Sequence, residues 1–278
     1  MKPIIRTLSL QELTVLIDWA AAEGWNPGLE DAAMFQAADA EGFIGAFAGK
    51  QMVAAVSAVA YGSEFGFIGL YICRPDMRGK GYGKAVWNAG MKRLAGRTVG
   101  LDGVAEQQAN YRRKGFSPAY ETIRYTGHMA GPAVRADGLR MITTQLVPDI
   151  IAYDSHCFPA PRRAFLQRWL QTPHHGLAAI SSRGTRGYAV ARQCRSGFKI
   201  GPLFADDVEI ALQLLDGLAA ACKGGDLSID VPATKLEFIA ALEAAGFAPT
   251  FTTTRMYKGP PPKLGLQRLF GITTLELG

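Results

Sequence analysis

Between Arg78 and Lys84 the chain reads Arg-Gly-Lys-Gly-Tyr-Gly-Lys. Glycine lets a backbone take up positive φ and approach a ligand closely. Arg78, Lys80 and Lys84 add cationic charge at the same place. Behind this loop Ala85, Val86, Ala89 and Leu94 recur at helical spacing, so the loop opens a helix. The first N–H groups of a helix have no partner within it and lie at the positive end of its dipole. In front of the loop, Phe67, Ile68, Leu70, Tyr71, Ile72 and Cys73 form a strand-prone run, interrupted by Gly69 and ended by Pro75. Strand, basic glycine loop and helix together make a site for a phosphate or pyrophosphate.

Two common phosphate motifs fail here. G-x-x-x-x-G-K-[ST] needs glycine where Arg78 stands and a hydroxyl where Ala85 stands. G-x-G-x-x-G needs glycine at Lys84 or at Val86, depending on where it starts. What remains is R-x-x-G-x-G, formed by Arg78, Gly81 and Gly83 behind Tyr71-Ile72-Cys73-Arg74-Pro75. Downstream, Val99 to Val104 reads as a strand and Glu106 to Lys114 as a short helix stopped by Gly115, with Tyr111 four residues before Gly115-Phe116. With these two motifs in this order, residues 1 to about 126 resemble the GNAT superfamily of N-acetyltransferases.

The resemblance implies acetyl-coenzyme A as cosubstrate. Tyr71, Ile72 and Cys73 would meet the pantetheine arm and thioester, and Arg78, Gly79, Lys80, Gly81, Tyr82, Gly83 and Lys84 the pyrophosphate. Tyr111 would protonate the leaving thiolate, for which a phenol of pKa about 10 is a workable acid. In this family the region between the first two helices shapes the acceptor pocket, which makes Trp19, Trp25, Asn26 and Phe35 acceptor-site candidates. Glu64, just before the central strand, joins them. The implied reaction is acetyl transfer to a primary amine of a small molecule or peptide; the alternative is an acyl-coenzyme A binding module without turnover. Some family members carry a base, a glutamate, eleven residues before the position of Arg78; here that residue is Phe67. Glu64, Asp31 and Asp102 could act through water, but each also reads as a surface charge or cap. His128, His156, His174 and His175 are no better placed. A base is dispensable where the pocket lowers the amine's own pKa.

These residues need a scaffold. Pro3 to Leu8 reads as an edge strand. Ser9 and Glu12 form a capping box, and Leu13, Leu16, Ile17 and Ala20 give one apolar helical face that ends at Gly24. Trp25-Asn26-Pro27-Gly28 is a turn, Asp31 to Ala38 a second helix, and Phe43 to Phe47 with Met52 to Ala60 a hairpin.

The chain also repeats itself. Gly115/Gly246, Phe116/Phe247, Pro118/Pro249, Tyr120/Phe251, Thr122/Thr253 and Arg124/Arg255 pair at one constant offset. Asp230 ends a strand from Leu227 to Val231 as Asp102 ends its own, and Thr234 with Glu237 would cap the helix that stops at Gly246. Phe198 to Phe204, containing Pro202, leads into a helix from Asp207 to Cys222. The expected fold class is α/β (α+β): two tandem GNAT-like units, each a mixed, mostly antiparallel twisted sheet flanked by helices. The units are 1–130, catalytic, and 139–278, degenerate, joined by a linker from Gly127 to Gly138. Aligning Pro202 with Pro75 sets Asp206, Asp207, Val208, Glu209 and Ile210 against the glycines and lysines of the first unit, while the constant offset of the repeat puts Leu242 against Tyr111. Carboxylates repel a pyrophosphate, so one active site is expected, in the first unit.

Composition sets the remaining bounds. A chain of 278 residues, 48% hydrophobic and 19% charged, suits two globular cores. The net charge of +6 is dispersed, which fits a polyanionic cosubstrate and gives no sign of nucleic-acid binding. Cys73, Cys157, Cys194 and Cys222 have no zinc-ligand spacing and read as free thiols of a reducing cytoplasm; no metal is expected. No run of about 18 apolar residues predicts a membrane span. Monomer and homodimer both remain open.

Overall fold

The computed structural model describes residues 3–129 and 138–278. The first half runs β1 (Ile4–Thr7), α1 (Leu10–Ala22), α2 (Asp31–Ala38), β2 (Phe43–Ala48), β3 (Gln51–Tyr61), β4 (Phe65–Cys73), α3 (Tyr82–Arg93), β5 (Thr98–Gly103), α4 (Ala105–Arg113) and β6 (Ser117–His128). The second half repeats that order: β7 (Leu139–Met141), α5 (Val147–Asp154), α6 (Arg163–Trp169), β8 (His175–Ser181), β9 (Gly184–Gln193), β10 (Phe198–Ala205), α7 (Val208–Ala221), β11 (Asp226–Pro232), α8 (Leu236–Ala244) and β12 (Ala248–Lys258), with β13 (Leu269–Gly271) added. Local signals account for much of this. The Ser9–Glu12 box closes in both directions at the start of α1, whose buried face is Leu13, Leu16, Ile17 and Ala20.

Each half has the mixed, mostly antiparallel arrangement expected of it, and the two sheets are continuous. Of the sheet's thirteen strands, twelve follow the path β1-β2-β3-β4-β5-β12-β6-β11-β10-β9-β8-β7, and β13 pairs with β10 off that path. Among the described strands, only β4 with β5 and β10 with β11 run parallel. Each half surrenders its last strand to the other, since β12 pairs with β5 and β6 with β11. A pseudo-twofold axis passes where Thr253 faces Thr122 between β12 and β6.

That exchange explains the arginines of the internal repeat. Arg255 from β12 donates Nε and Nη2 to Asp102 of β5 at 2.8 Å each, and Arg124 from β6 donates the same pair to Asp230 of β11, again at 2.8 Å. Each arginine thus serves the other half's aspartate. Arg124 also lies 5.6 Å from the Phe251 ring centroid and Arg255 5.8 Å from that of Tyr120. The halves share a core as well. Leu13, Leu16 and Phe35 join Phe165, Leu166 and Trp169, with Phe35 and Trp169 stacked at 6.3 Å.

Three expectations need correction. The α8 helix begins at Leu236 after Lys235 with no side-chain cap, because Lys235 N–H bonds to Pro232 in a turn that leaves Thr234 one residue too early. Gly127 and His128 of the expected linker lie in β6, where they pair with Leu227 and Asp226; residues 130–137 fall outside the described residues. Pro202 is not the counterpart of Pro75. It lies inside β10 at a bulge between Ile200 and Leu203, and so corresponds to the bulge in β4.

Candidate active site

The site begins where β4 leaves β5. The two strands pair only from Phe65–Thr98 to Phe67–Gly100. Beyond that, β4 bulges: its register with β3 shifts between Ala55 and Ser57, and Leu70 takes a left-handed φ of +44°. The strands splay, leaving a cavity of about 810 Å³. Its first wall is β4 from Ile68 to Cys73, its second Leu101, Asp102 and Val104 with Gln107 and Tyr111 of α4.

At the mouth lies the glycine loop. A 3-10 turn over Pro75–Met77 leads to Gly79 and Gly81, at φ +77° and +84°. A side chain at either would be strained, and nothing lies within 4 Å of where its Cβ would stand. Gly81 precedes α3 without any side-chain cap, so the first amides of that helix are open to a ligand. Gly83 has a different reason. The Tyr71 hydroxyl would stand 2.7 Å from a Cβ there, so glycine lets ring and helix meet. Arg78 bridges the rim, donating to the Cys73 carbonyl at 3.1 Å and to Glu23 Oε1 at 2.6 Å. Lys80 bonds the Asp76 carbonyl at 3.0 Å, and Lys84 is exposed. An uncapped helix start, a bare glycine cradle and three nearby cations fit a diphosphate.

Tyr111 stacks on Trp87 of α3 at 5.6 Å and meets Phe116 edge-on at 6.3 Å. Burial pushes its phenol up to about 12, so it keeps its proton at neutral pH. Tyr71 meets Trp87 edge-on at 5.4 Å, and burial raises its phenol too. Trp87, which belongs to no motif of the sequence, lines the cavity.

Of the acceptor candidates, Trp25 and Asn26 line the cavity. Asn26 also ties the halves together, donating to the Ser196 carbonyl at 2.8 Å and accepting from Ser196 N–H at 3.1 Å. Phe35 does not reach it: fully buried, it packs on Trp169 because α2 faces the shared core. Trp19 packs against that core too. Glu64 sits in the turn before β4, accepting from Ser63 Oγ at 3.0 Å, and at about 3.3 Å per residue it lies about 20 Å along the strand from Tyr71. Asp31 and Asp102 are committed elsewhere. Asp31 accepts from Gly28 N–H at 2.7 Å and lies 3.1 Å from Arg192 Nε, while Asp102 is gripped by Arg255. Among the described residues, no cluster of His, Cys, Asp and Glu could hold a metal, and no helix is long and apolar enough to cross a membrane.

The remaining wall was illegible from the first half alone. Ser196, Lys199, Ser228, Phe251 and Thr253 come from the second half, with Arg124 from exchanged β6 and Glu276 from the segment after β13. In the second half the corresponding strand-to-helix turn carries no glycine loop. Only Asp206 and Asp207 separate β10 from α7, and Asp207 caps that helix through Ile210 N–H at 2.9 Å. The gap beyond the Phe198–Leu227 to Ile200–Ile229 pairing is filled by β13, bound to β10, and by Ile272, whose N–H reaches the Asp230 carbonyl at 3.0 Å.

A bulged central strand splaying from a parallel neighbour, then an uncapped helix on a basic glycine loop, defines a GNAT acyltransferase unit; here the scaffold occurs twice in one chain. Residues 10–116 match the family described as Acetyltransferase (GNAT) family, and residues 150–271 one described as Acetyltransferase (GNAT) domain. A relative from Pseudoalteromonas sp. (strain SANK 73390), holothin acyltransferase, is 35% identical over 272 residues, covering 97% of this chain and 92% of its own. A candidate acetyltransferase of Pyrococcus horikoshii has a similar structure, with a TM-score of 0.83 at 20% identity over 100% of this chain and 96% of that one. A tandem GNAT protein from the clavulanic acid biosynthesis pathway gives 0.59 at 12% identity, over 94% and 100%. The chain belongs to the GNAT family of acyltransferases.

Proposed function

We propose that this enzyme transfers an acetyl group from acetyl-coenzyme A to an amine of a small molecule, at one active site between β4 and β5. The observation that carries this is one cavity bordered by Tyr111, the β4 bulge and Arg78 of the glycine loop, with residues of the second half as its far wall. A wall of folded chain where a peptide would have to run favours a small acceptor. The named acceptor of the relative from Pseudoalteromonas, holothin, points the same way.

Acetyl-coenzyme A supplies an activated acyl group on a thiol leaving group. The amides of Gly81 to Lys84, with Arg78, Lys80 and Lys84, would hold its diphosphate. The β4 backbone from Leu70 to Cys73, turned away from β5, offers hydrogen-bonding groups to the pantetheine amides. Tyr111, protonated at neutral pH, is the acid for the departing sulfur. Positioning supplies much of the rate. The second half binds no nucleotide and shapes the acceptor chamber. Cys73, Cys157, Cys194 and Cys222 are free thiols, three of them buried, which suits the cytoplasm.

Calorimetric titration with acetyl-coenzyme A tests this. One site per chain is expected, abolished by Gly81→Glu, which adds a carboxylate to the cradle and strains a residue at φ +84°. Two sites per chain, or unchanged affinity in the variant, would refute the assignment. Release of free thiol with holothin and a panel of small primary amines then reads turnover.

A further inference from the structure

The segment from Ile272 to Gly278 does two things with one stretch of chain. Its start plugs the second half; its end crosses into the first. Thr273 is held by Arg162 Nη1 at 2.8 Å through its hydroxyl and by Arg192 Nη1 at 3.3 Å through its carbonyl. Thr274 Oγ1 accepts from Glu276 N–H at 3.3 Å and Leu277 N–H at 2.9 Å. Ser57 Oγ donates to the Glu276 carbonyl at 3.2 Å and the Tyr61 hydroxyl to that of Leu277 at 3.0 Å. Its backbone lies against β4: a Cβ on Gly69 would collide with the Glu276 carbonyl, and one on Gly278 would stand 2.8 Å from the Phe67 ring. Glu276 is therefore clamped beside the strand residue that precedes the Leu70 bulge.

Glu276 lines the cavity, yet it is only 5% exposed, and its Oε2 is buried without a hydrogen-bond partner among the described residues. A buried carboxylate oxygen left unpaired is costly unless a ligand completes it. Most of the charged groups around it are ion-paired with one another, and Arg124, Arg192 and Lys199 give it a positive surrounding. Asp102 on β5 holds Arg255, Arg124 on β6 holds Asp230 on β11, and Arg192 on β9 faces Asp31. Lys199 on β10 donates to the Trp25 carbonyl at 2.7 Å. Of these described anions Glu276 is the one that no arginine or lysine touches within ion-pair distance, which leaves Oε2 able to take a proton from an incoming ammonium.

We infer that Glu276 is the general base of this enzyme, taking the ammonium proton of the acceptor on Oε2. This rests on the acyl-transfer reading above. The proton passes from nitrogen to Oε2, and the freed lone pair bonds to the thioester carbonyl carbon. The C–S bond breaks, its electron pair leaves on sulfur, and Tyr111 gives sulfur its proton. The second proton lost from nitrogen restores Tyr111, and the one on Glu276 returns to solvent. Atoms and charge balance: ammonium and thioester become amide, thiol and a released proton.

Glu276→Gln keeps the shape of the side chain and removes its basicity. With holothin or a panel amine as probe, kcat/KM should fall about 10²- to 10³-fold while the acetyl-coenzyme A Kd and the Tm stay put. The deficit should shrink as pH rises toward the amine's own pKa, because the acceptor then arrives neutral. Full activity, or a deficit unchanged with pH, overturns the assignment. A second measurement needs no turnover. A water-soluble carbodiimide with glycine ethyl ester should label Glu276 in the full chain, and saturating acetyl-coenzyme A should protect it. Absence of label at Glu276 while the cavity-rim Asp226 is labelled would equally overturn it. The Gly81→Glu titration judges the acyl-transfer reading separately, so the two can fail independently.

Discussion

The reciprocal ion pairs across the exchanged strands can be tested by removing one partner at a time. Asp102 and Arg255 have side-chain exposures of 0% and 4%, with both hydrogen bonds at 2.8 Å. Asp102→Leu leaves a guanidinium buried without its counter-ion, and Arg255→Met leaves the carboxylate in the same position. Each should destabilise by about 3–5 kcal/mol. Replacing both, Asp102→Leu with Arg255→Met, removes the desolvated charges together and should cost far less than the sum. A coupling energy of at least about 2 kcal/mol follows. Arg124 and Asp230, at 11% and 10% exposure, should give a smaller value because water screens them more. Urea unfolding followed by tryptophan fluorescence and by far-ultraviolet circular dichroism supplies the numbers. Both probes should report one transition, since exchanged strands deny either half an independent melt. Single costs that simply add, with coupling below about 0.5 kcal/mol as for independent sites, would refute the claim that these pairs lock the halves. Two separate transitions would refute the interlock itself.

Two other perturbations bear on the site and its floor. Tyr111→Phe should lower kcat about 10²- to 10³-fold and leave acetyl-coenzyme A affinity within twofold by titration; unchanged turnover would reduce Tyr111 to packing against Trp87. Asp230 gives a pH test. Burial alone would raise its pKa, but Arg124, helped by Lys199 and Arg192, holds it below the ordinary carboxylate value of about 3.9. A depressed folded pKa contributes stability that is present above the unfolded value and lost as pH falls through it toward the folded one. Unfolding free energy should therefore drop between about pH 5 and pH 3. Asp230→Asn should be less stable at pH 7 with a flatter slope over that window; an unaltered slope would deny the linkage.

The parts of this molecule written in local code were legible before any coordinates. The capping box at Ser9 and Glu12, the α2 limits at Asp31 and Ala38, and the strand–loop–helix of the glycine site follow from neighbours within a few residues. The constant offset between Gly115-Phe116 and Gly246-Phe247 disclosed the duplication. Pairing across the halves was not legible. Arg124 and Arg255 recur with Asp102 and Asp230 whether each arginine serves its own half or the other, so the pattern is silent on exchange. Phe35 misled for a related reason. An aromatic near a pocket-forming loop and one facing a core look alike until the partner, Trp169 of the other half, is in place.

The missing base illustrates the same limit and suggests why the second half persists. Phe67 occupies the strand position where some family members carry a glutamate, and it lies under Gly278. Glu64, Asp31 and Asp102 are near in the chain, yet each is committed or distant in space. Glu276 lies in the other half of the sequence from Gly69 yet packs on it. A half that closed its own cleft with Leu269–Thr273 had chain left to extend into its neighbour's. Losing one site and completing the other are then the same structural event. Dissecting the chain should show it: residues 3–129 alone would lose β12, the chamber wall and Glu276 together, so a fragment that bound nucleotide would still lack the proton acceptor.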